Sequence, residues 1–499
     1  MGAHLPILPV VLPLVGAMLV PIVTLASRRA AWPLAVGAGL LATVAAGAGL
    51  VSVALHGTTR YAVGGWPPPW GIEVVLDPLS AFVAVTVAGV STVGLLAAGP
   101  AAERLPRHAP AAFYALALIG LTGFLGMVVS GDLFNVFVFL EIASISSYAL
   151  VASGGGPALP AAFRYLVLGT VGASFYLLGV GFLYALTGTL NMADLATRVA
   201  GQHASPLFVG GVAFVTVGLA IKMGLFPLHG WLPDAYTHAP APVAVLLAPV
   251  GTKAAAYALA RTLLYVLRPS DLPVATILAW TGAAAILVGG VLALRQTDAR
   301  RLLAYSSVSQ MGYIALGFGL ATPAGLAGAY LHILNHALMK AALFLSVGAA
   351  ALQGRGPAVH ALGLGRGMPV AAACAVVAGL SMVGVPPFGG FFSKWYLLEG
   401  TVGAGEPVLA GVILAGSLLA LGYMYRFTEE VWLGGSGASP TPAEDAPKGG
   451  HAAPGAGGTP GATPSAVAIG LVILAAVTLA AGLGNVALVG VLAPVTGLR

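Results

Sequence analysis

Apolar stretches of about 20 residues recur along the whole 499-residue chain. A helix of about 20 residues is long enough to cross the ~30 Å hydrocarbon core of a bilayer. Only 7% of the residues are charged, whereas a soluble protein carries about a quarter and needs them to cover its surface in water. We therefore predict an all-α polytopic membrane protein and exclude a water-soluble enzyme.

The apolar stretches predict fourteen transmembrane helices. The spans are 5–26, 33–55, 79–99, 111–130, 132–153, 161–187, 206–231, 241–267, 271–294, 302–320, 323–353, 369–400, 406–427 and 466–488. No Lys or Arg precedes the first span, and Arg28 and Arg29 follow it, which indicates a retained helix that enters from outside.

The distribution of cationic residues predicts the orientation in the cell membrane. With the N-terminus outside, twelve of them flank inner helix ends and four flank outer ends, in agreement with the positive-inside rule, so both termini are predicted outside. The inner residues are Arg28, Arg29, Arg104, Arg107, Arg164, Arg295, Arg300, Arg301, Arg355, Arg366, Arg426 and Lys448. The outer residues are Arg60, Arg198, Arg268 and Arg499.

Two segments lack the transmembrane pattern. Residues 434–465 are rich in Pro, Gly, Ser and Thr, which predicts a flexible linker on the inner face before the last helix. Residues 56–78 contain Gly-Gly followed by alternating apolar residues, which predicts a short external hairpin with Trp66 and Trp70 near the lipid headgroups.

The sequence offers no ligands for a cofactor. The single Cys374 excludes a disulfide framework, a CxxC metal site and a cysteine-held iron–sulfur cluster. No GxGxxG follows a strand pattern and no GxxxxGK[ST] occurs, so no nucleotide site is predicted. We expect no cofactor, no metal, no catalytic residue and no nucleic-acid partner in this chain, which leaves the lipid bilayer and transported ions as its ligands.

The lysines are the unusual feature of this membrane chain. Four of the five lie inside predicted spans, at Lys222, Lys253, Lys340 and Lys394, together with one acid, Glu141. Each ionisable group inside a membrane costs about 2.5–3.5 kcal/mol on insertion scales. A desolvated lysine can release and take up a proton, whereas arginine stays charged, so these residues predict proton handling. The alternative is that the lysines reach an interface, above all Lys340 and Lys394, or pair statically with Glu141.

Two spans carry the same interruption. GLFPLHG at 224–230 follows Lys222, and GVPPFGG at 384–390 precedes Lys394; both fit G-x-x-P-x-x-G and lie 160 residues apart. Proline removes a helical hydrogen bond, and matched interruptions in two halves are typical of transporters with an ion path at the repeat interface. An ordinary proline kink is the alternative for either one alone. The predicted break residues are Gly224, Pro227, Gly230, Gly384, Pro386, Pro387, Gly389 and Gly390.

A histidine row extends the polar path. His332, His336 and Lys340 follow one another at intervals of four residues, which places them on one helix face. Histidine titrates near physiological pH, so this row predicts a proton relay. A metal pair or a structural role is the alternative. The supporting polar residues are His229, Ser306, Ser307, Gln310 and Asn335.

The motifs at 131–152, 222–261, 300–317 and 384–394 resemble the antiporter-like family shared by respiratory complex I, membrane-bound hydrogenases and Mrp-type cation/proton antiporters. The resemblance implies fourteen core helices, with helices 1–3 in residues 1–110, two inverted five-helix repeats at 111–267 and 271–427, and a last helix in 466–499. It also implies residue roles. Glu141 pairs with Lys222, Lys253 bridges the halves, Lys394 ends the path, and His332 and His336 lie on the polar axis between them.

The resemblance implies a proton-translocating subunit that works with other membrane subunits. The hairpin WPPPWGIEVVLD and the phrase GDLFNVFVFLE resemble the D subunit of an Mrp-type Na⁺/H⁺ antiporter and hydrogenase-associated members, and we expect the D subunit, with protons and Na⁺ as the ions. LPDAYTHAP resembles complex I instead. The alternative is therefore a proton-pumping subunit of an NADH:quinone oxidoreductase or a membrane-bound hydrogenase. A stand-alone solute carrier is a remote third hypothesis.

Overall fold

The computed structural model describes residues 4–102, 109–356, 358–434 and 463–498. Within these ranges the chain forms nineteen α-helices and one two-stranded hairpin. The helices are α1 Leu8–Ala26, α2 Ala31–His56, α3 Pro78–Ala97, α4 Gly99–Ala102, α5 Ala109–Val129, α6 Leu133–Ala152, α7 Ala158–Thr187, α8 Met192–Arg198, α9 Pro206–Met223, α10 Leu232–His238, α11 Ala241–Ala260, α12 Val274–Leu294, α13 Ala299–Leu320, α14 Pro323–Leu352, α15 Pro369–Val383, α16 Gly389–Gly403, α17 Pro407–Leu433, α18 Ser465–Leu483 and α19 Asn485–Thr496. The strands are β1 Thr59–Ala62 and β2 Glu73–Leu76.

The all-α polytopic membrane fold is confirmed. Among the described residues, twelve helical segments are long and apolar enough to cross a bilayer. The polar helix α13 and the broken pair α15–α16 fill the two remaining predicted spans. The predicted linker at 434–465 lies outside the described residues except at its two ends, as do Arg104, Arg107, Lys448 and Arg499.

Helices α11, α13 and α14 form the centre of the molecule. Almost every residue of these three helices is buried, whereas α1, α2 and α17 leave much of their surface exposed. Polar side chains on α13 therefore contact protein rather than lipid, which explains how a helix of low hydropathy can occupy the middle of a membrane domain. Helix α11 continues as a π-helix over Arg261–Leu267.

The hairpin lies on one face of the helical domain, which we call the hairpin face. Strands β1 and β2 are antiparallel, with Thr59 opposite Leu76, and Asp77 then caps α3. Asp77 also forms an ion pair with Arg261 of the π-helix, 2.6 Å between oxygen and nitrogen. Burial alone would raise the pKa of Asp77, but the Arg261 guanidinium and the Ser80 N–H hold it below its ordinary value. The pair therefore stays charged and joins the hairpin to α11.

Two parts of the chain share local architecture. Helices α7 and α14 are both 30 residues long, and the helices before them, α6 and α13, begin at the capping carboxylates of Asp132 and Asp298. The backbone beside each cap pairs with the segment after the following long helix, through N–O distances of 2.8 Å from Met192 to Gly131 and from Val359 to Thr297. The two repeats at 111–267 and 271–427, and their inverted relation, stay predictions.

Candidate functional site

The first helix break starts at Gly224, where the backbone adopts a φ of +67° and ends α9. The chain then runs irregularly until α10 begins at Leu232. Two backbone carbonyls near the end of α9 accept hydrogen bonds from residues of the irregular segment. Leu225 N–H donates to Ala220 at 3.0 Å, and the indole N–H of Trp231 donates to Ile221 at 2.8 Å. Irregular backbone at membrane depth is tolerated because protein groups satisfy it in this way.

Lys222 lies in the last turn of α9 and contacts one face of α6. Its Nζ donates to Ser144 Oγ at 2.8 Å, to Glu141 Oε1 at 3.3 Å and to the Tyr148 hydroxyl at 3.3 Å. The Lys222 side chain is only 7% exposed, whereas Glu141 is 26% exposed and lines an open cavity of about 500 Å³ between α6 and α7. The structure thus joins the two residues predicted to pair, and leaves the carboxylate a free side toward the cavity.

The second break has a different arrangement. Helix α15 ends at Val383, Gly384 adopts a φ of +95°, and α16 begins five residues later. Lys394 Nζ reaches back across the break to the carbonyls of Met382 at 2.9 Å and Val383 at 3.1 Å. Its other partners are Ser417 Oγ at 3.3 Å and the ring of Tyr313, 4.7 Å from the centroid. The ammonium therefore caps the carbonyl end of α15, where the helix dipole favours a cation.

Lys253 and Lys340 are completely buried between the two breaks. Lys253 donates to the Ala248 carbonyl at 2.7 Å and to Thr252 Oγ1 at 3.2 Å. Lys340 donates to the Leu303 carbonyl at 2.7 Å and to Ser306 Oγ at 2.6 Å. The two amino groups are close enough to interact electrostatically, and within the described part of the chain neither has an acidic partner at salt-bridge distance. These lysines do not reach an interface, so the snorkelling alternative does not hold for either.

The two histidines continue the row toward Lys394. His332 is hydrogen bonded at 2.9 Å to Ser393, the neighbour of Lys394, and at 2.9 Å to Gln310. His336 stacks on His332 with 6.0 Å between ring centroids and interacts electrostatically with Lys253. Both residues are fully buried, and among the described residues the ring nitrogens of His336 have no hydrogen-bond partner. The imidazole of His336 thus has hydrogen-bonding capacity that no described residue uses.

Among the remaining predicted polar residues, three form hydrogen bonds in or beside the row of buried lysines and histidines, and one does not contact Lys222. Gln310 also donates to Tyr423 at 3.3 Å, Asn335 donates to the Gly389 carbonyl at 2.7 Å, and Ser307 bonds the Leu303 carbonyl of its own helix. His229 is different, because its ring contact is with Phe226, at 5.4 Å between centroids, rather than with Lys222.

The predicted break residues have unequal roles. Gly224 and Gly384 supply the positive φ angles, whereas Gly389 and Gly390 allow Asn335 and the Ser381 carbonyl to approach closely. Gly230 meets no such constraint, since a Cβ there would find its nearest neighbour at 4.0 Å. The prolines occupy the irregular segments, with cis peptide bonds at Phe226–Pro227 and Pro386–Pro387.

Several site residues carry a sequence signal that the motifs did not single out. Ser144 and Tyr148 follow Glu141 by three and seven residues, and this helical spacing could have identified them. Ser393 adjoins Lys394 and could have been identified by that position alone. Tyr313 and Ser417 reach Lys394 from α13 and α17, and no pattern in the sequence marks them.

Comparisons with known proteins give one consistent picture. A family profile described as "NADH:quinone oxidoreductase/Mrp antiporter, TM" matches residues 130–420. The N subunit of NADH-quinone oxidoreductase from Desulforudis audaxviator is 47% identical over 444 residues, which cover 87% of this chain and 88% of that protein. The D subunit of a Na(+)/H(+) antiporter from Bacillus subtilis is 30% identical over 450 residues, 89% of this chain and 90% of that one. A chain of the membrane-bound sulfane sulfur reductase, an archaeal respiratory membrane complex, superposes with a TM-score of 0.87 at 32% identity and covers 99% of this chain and 97% of its own.

Proposed function

Given that the chain belongs to the NADH:quinone oxidoreductase/Mrp antiporter family of membrane subunits, we propose that it moves protons through the row of buried lysines and histidines. The observation that carries this proposal is the contact between Lys222 and Glu141 at a broken helix, next to a row of buried titratable groups. A static ion pair would need neither the break nor the row. Five buried or half-buried ionisable groups in one membrane domain are costly, and a transport function accounts for them.

The Lys222–Glu141 pair is the switching element of the proposed mechanism. While Glu141 is close, its negative charge stabilises the ammonium and Lys222 holds its proton. When Glu141 turns toward the adjacent cavity, the partners of Lys222 among the described residues are the neutral hydroxyls of Ser144 and Tyr148, and Lys222 releases the proton toward Lys253. A two-state pair of this kind lets a signal from a neighbouring subunit act on the proton path through charge alone.

The central row carries the proton onward to the second break. From Lys253 the proposed order runs to His336, on which it acts electrostatically, then to His332, and then through Ser393 to the adjacent Lys394. Lys340 lies beside this row, and positive charges on Lys253 and Lys340 disfavour each other, which favours movement in single steps. Lys394 then releases the proton on the hairpin face, which we propose to be the outer face of the cell membrane.

The identities favour a complex I-type assembly over the Mrp-type D subunit that the hairpin motif suggested. At similar coverage, the N subunit of an NADH-quinone oxidoreductase is 47% identical and the D subunit of a Na(+)/H(+) antiporter is 30% identical. We propose that the chain is the proton-translocating partner of an electron-transfer module, with other membrane subunits beside it. A cation/proton antiporter is the second candidate, supported by the match to the antiporter protein over 89% of this chain.

Purification in mild detergent, followed by mass spectrometry of the co-purifying chains, separates these two assemblies. Subunits with flavin or iron–sulfur centres are expected. Co-purification of small membrane subunits alone would favour the antiporter, and Na⁺ would then be one of the transported ions.

The variant Lys222→Ala tests the proposed proton path in the assembled complex. We expect proton uptake into inside-out vesicles, followed with a fluorescent pH probe, to fall at least about tenfold, because Lys222 is the first carrier. Lys448→Ala removes the one lysine outside the predicted spans and is the matched control, with translocation unchanged. Unimpaired translocation by Lys222→Ala, with normal assembly, would contradict the proposal.

A further inference from the structure

Asp234 joins two distant parts of the molecule on the face opposite the hairpin. It lies on the short helix α10, immediately after the first break, and its side chain is 16% exposed. One carboxylate oxygen accepts from Arg164 of α7 at 2.6 Å, and the other accepts from Arg301 of α13 at 3.3 Å. Arg164 belongs to the first predicted repeat and Arg301 to the second, so a single carboxylate connects both.

Aromatic rings connect the helix of Asp234 to the Lys222 site. Trp231 precedes α10 and stacks on Tyr165, with 4.2 Å between centroids and 6° between the planes. Tyr165 in turn packs edge-to-face on Tyr148 at 4.6 Å, and the Tyr148 hydroxyl accepts from Lys222. The Trp231 indole also bonds the carbonyl of Ile221, the residue before Lys222. A shift of α10 therefore changes both the backbone and a hydrogen-bond partner of Lys222.

Arg301 connects Asp234 to the other side of the proton row. It lies in the first turn of α13, and the groups that hold the ammonium of Lys340 follow in the next turns, the Leu303 carbonyl and Ser306 Oγ. Because a helix moves as a stiff rod over such short distances, a displacement of Arg301 carries these two groups with it.

We infer that Asp234 is a positioning residue that keeps the Lys222 site aligned with the Lys340 site across the two halves of the molecule. This inference rests on the proposed function. The arginine side chains of the two pairs are 68% and 37% exposed, so the pairs add little to the free energy of unfolding. Their proposed role is to fix the positions of α7, α10 and α13 relative to one another. The contact between Asp234 and Arg301 cannot be predicted from local sequence spacing, because the two residues are 67 positions apart.

The variant Asp234→Asn tests this role, because it keeps the side-chain shape and removes the charge. We expect proton translocation by the assembled complex to fall about fivefold, the lower end of typical coupling effects. The melting temperature in detergent is expected to stay within about 2 °C because both arginine partners of Asp234 are exposed to solvent. Asp234→Glu, which restores the charge, is expected to recover at least half of the activity.

Asp194→Asn is the matched control. Asp194 also lies in the first turn of a seven-residue helix, α8, and pairs with Arg198 at 2.9 Å, but it is on the hairpin face away from the row. We expect this variant to translocate protons like the wild type. An equal loss in Asp194→Asn would overturn the inference, since any lost surface pair would then have the same effect.

Single arginine variants separate a link between halves from a local role. Arg301→Gln is expected to reproduce the loss seen with Asp234→Asn, and the double variant to be no worse than either one. Normal translocation by Arg301→Gln, with a loss confined to Arg164→Gln, would overturn the link.

If the complex with Asp234→Asn fails to assemble, the activity of Arg301→Gln tests the inference by itself. Wild-type activity of Asp234→Asn beside an inactive Lys222→Ala overturns only this inference, whereas an active Lys222→Ala overturns the proposed function itself.

Discussion

The two broken helices each present a lysine ammonium at a break but stabilise it in different ways. Lys222 comes before its break and faces a carboxylate, with Glu141 Oε1 at 3.3 Å. Lys394 comes after its break and donates to the two carbonyls that end the preceding half-helix. The same sequence interruption thus creates one ammonium with a full counter-charge and one held by backbone dipoles.

This difference indicates which break can switch. The Glu141 side chain is 26% exposed beside a cavity and can rotate away from Lys222 without disturbing any helix. The carbonyls of Met382 and Val383 belong to α15 and cannot leave Lys394 unless the end of that helix moves. We therefore assign the trigger of the proposed mechanism to the first break and a fixed terminal carrier to the second.

The largest expected effect belongs to Lys394→Ala. Translocation should fall at least about tenfold because the last carrier is gone. Stability should fall as well, since two carbonyls at the end of α15 lose their donor, at about 1–3 kcal/mol for each buried group left unpaired. The melting temperature of the purified complex measures the second effect.

The matched variant for this comparison is Lys222→Ala. It removes the partner of Glu141, which is 26% exposed, and one donor from the hydroxyls of Ser144 and Tyr148. A hydroxyl can donate to another acceptor, as Ser144 does to the Leu140 carbonyl, so the melting temperature is expected to drop less than that of Lys394→Ala. A larger drop for Lys222→Ala would show that the carboxylate pair, rather than the helix cap, carries the structural role.

Glu141→Gln removes the counter-charge of the first break alone. The amide can still accept a hydrogen bond from Lys222, but it cannot stabilise the ammonium as a charge, so we expect translocation to fall about tenfold at unchanged assembly. In the second break, Ser417→Ala removes a neutral partner of Lys394 at 3.3 Å and should leave translocation within about twofold. Equal losses in the two variants would remove the distinction between a switching and a fixed lysine.

The glycines that end the two half-helices give a smaller and graded effect. Gly224→Ala and Gly384→Ala both place a side chain at positive φ, at about 1–2 kcal/mol each. Gly224→Ala should cost more, because its Cβ would lie 2.6 Å from Leu232 Cδ1, whereas at Gly384 the nearest atom is Lys394 Cδ, 3.2 Å away. Gly230→Ala has room for its methyl group and serves as the control in melting-temperature measurements. The reverse order would show that the first break is the looser one.

The sequence was sufficient to predict the elements of this comparison but not the contacts within it. The motif G-x-x-P-x-x-G indicated the positions of both breaks, and the occurrence of Lys222 and Lys394 beside them indicated the two ammonium groups. That Lys394 reaches back to cap α15 could not be predicted, because a lysine after a break can equally point forward along α16. The two contacts of Asp234 depend on how α7, α10 and α13 pack, and single residues on loops and short helices carry no periodic signal for such packing.

The smallest expected effect concerns His229, which decides whether the first break contains a second proton carrier. In the repeated motif its position corresponds to Gly389 of the second break, so only the first break has a titratable group there. His229 is half-buried and contacts Phe226 rather than Lys222, which places it beside the path and not in it. We expect His229→Gln to change translocation less than about twofold, whereas His332→Gln, which interrupts the contact between Gln310 and Ser393, should lower it about tenfold. A loss with His229→Gln as large as that with His332→Gln would mean that the proton enters through the first break itself, and that this break contains two carriers, Lys222 and His229, where the second break contains one, Lys394.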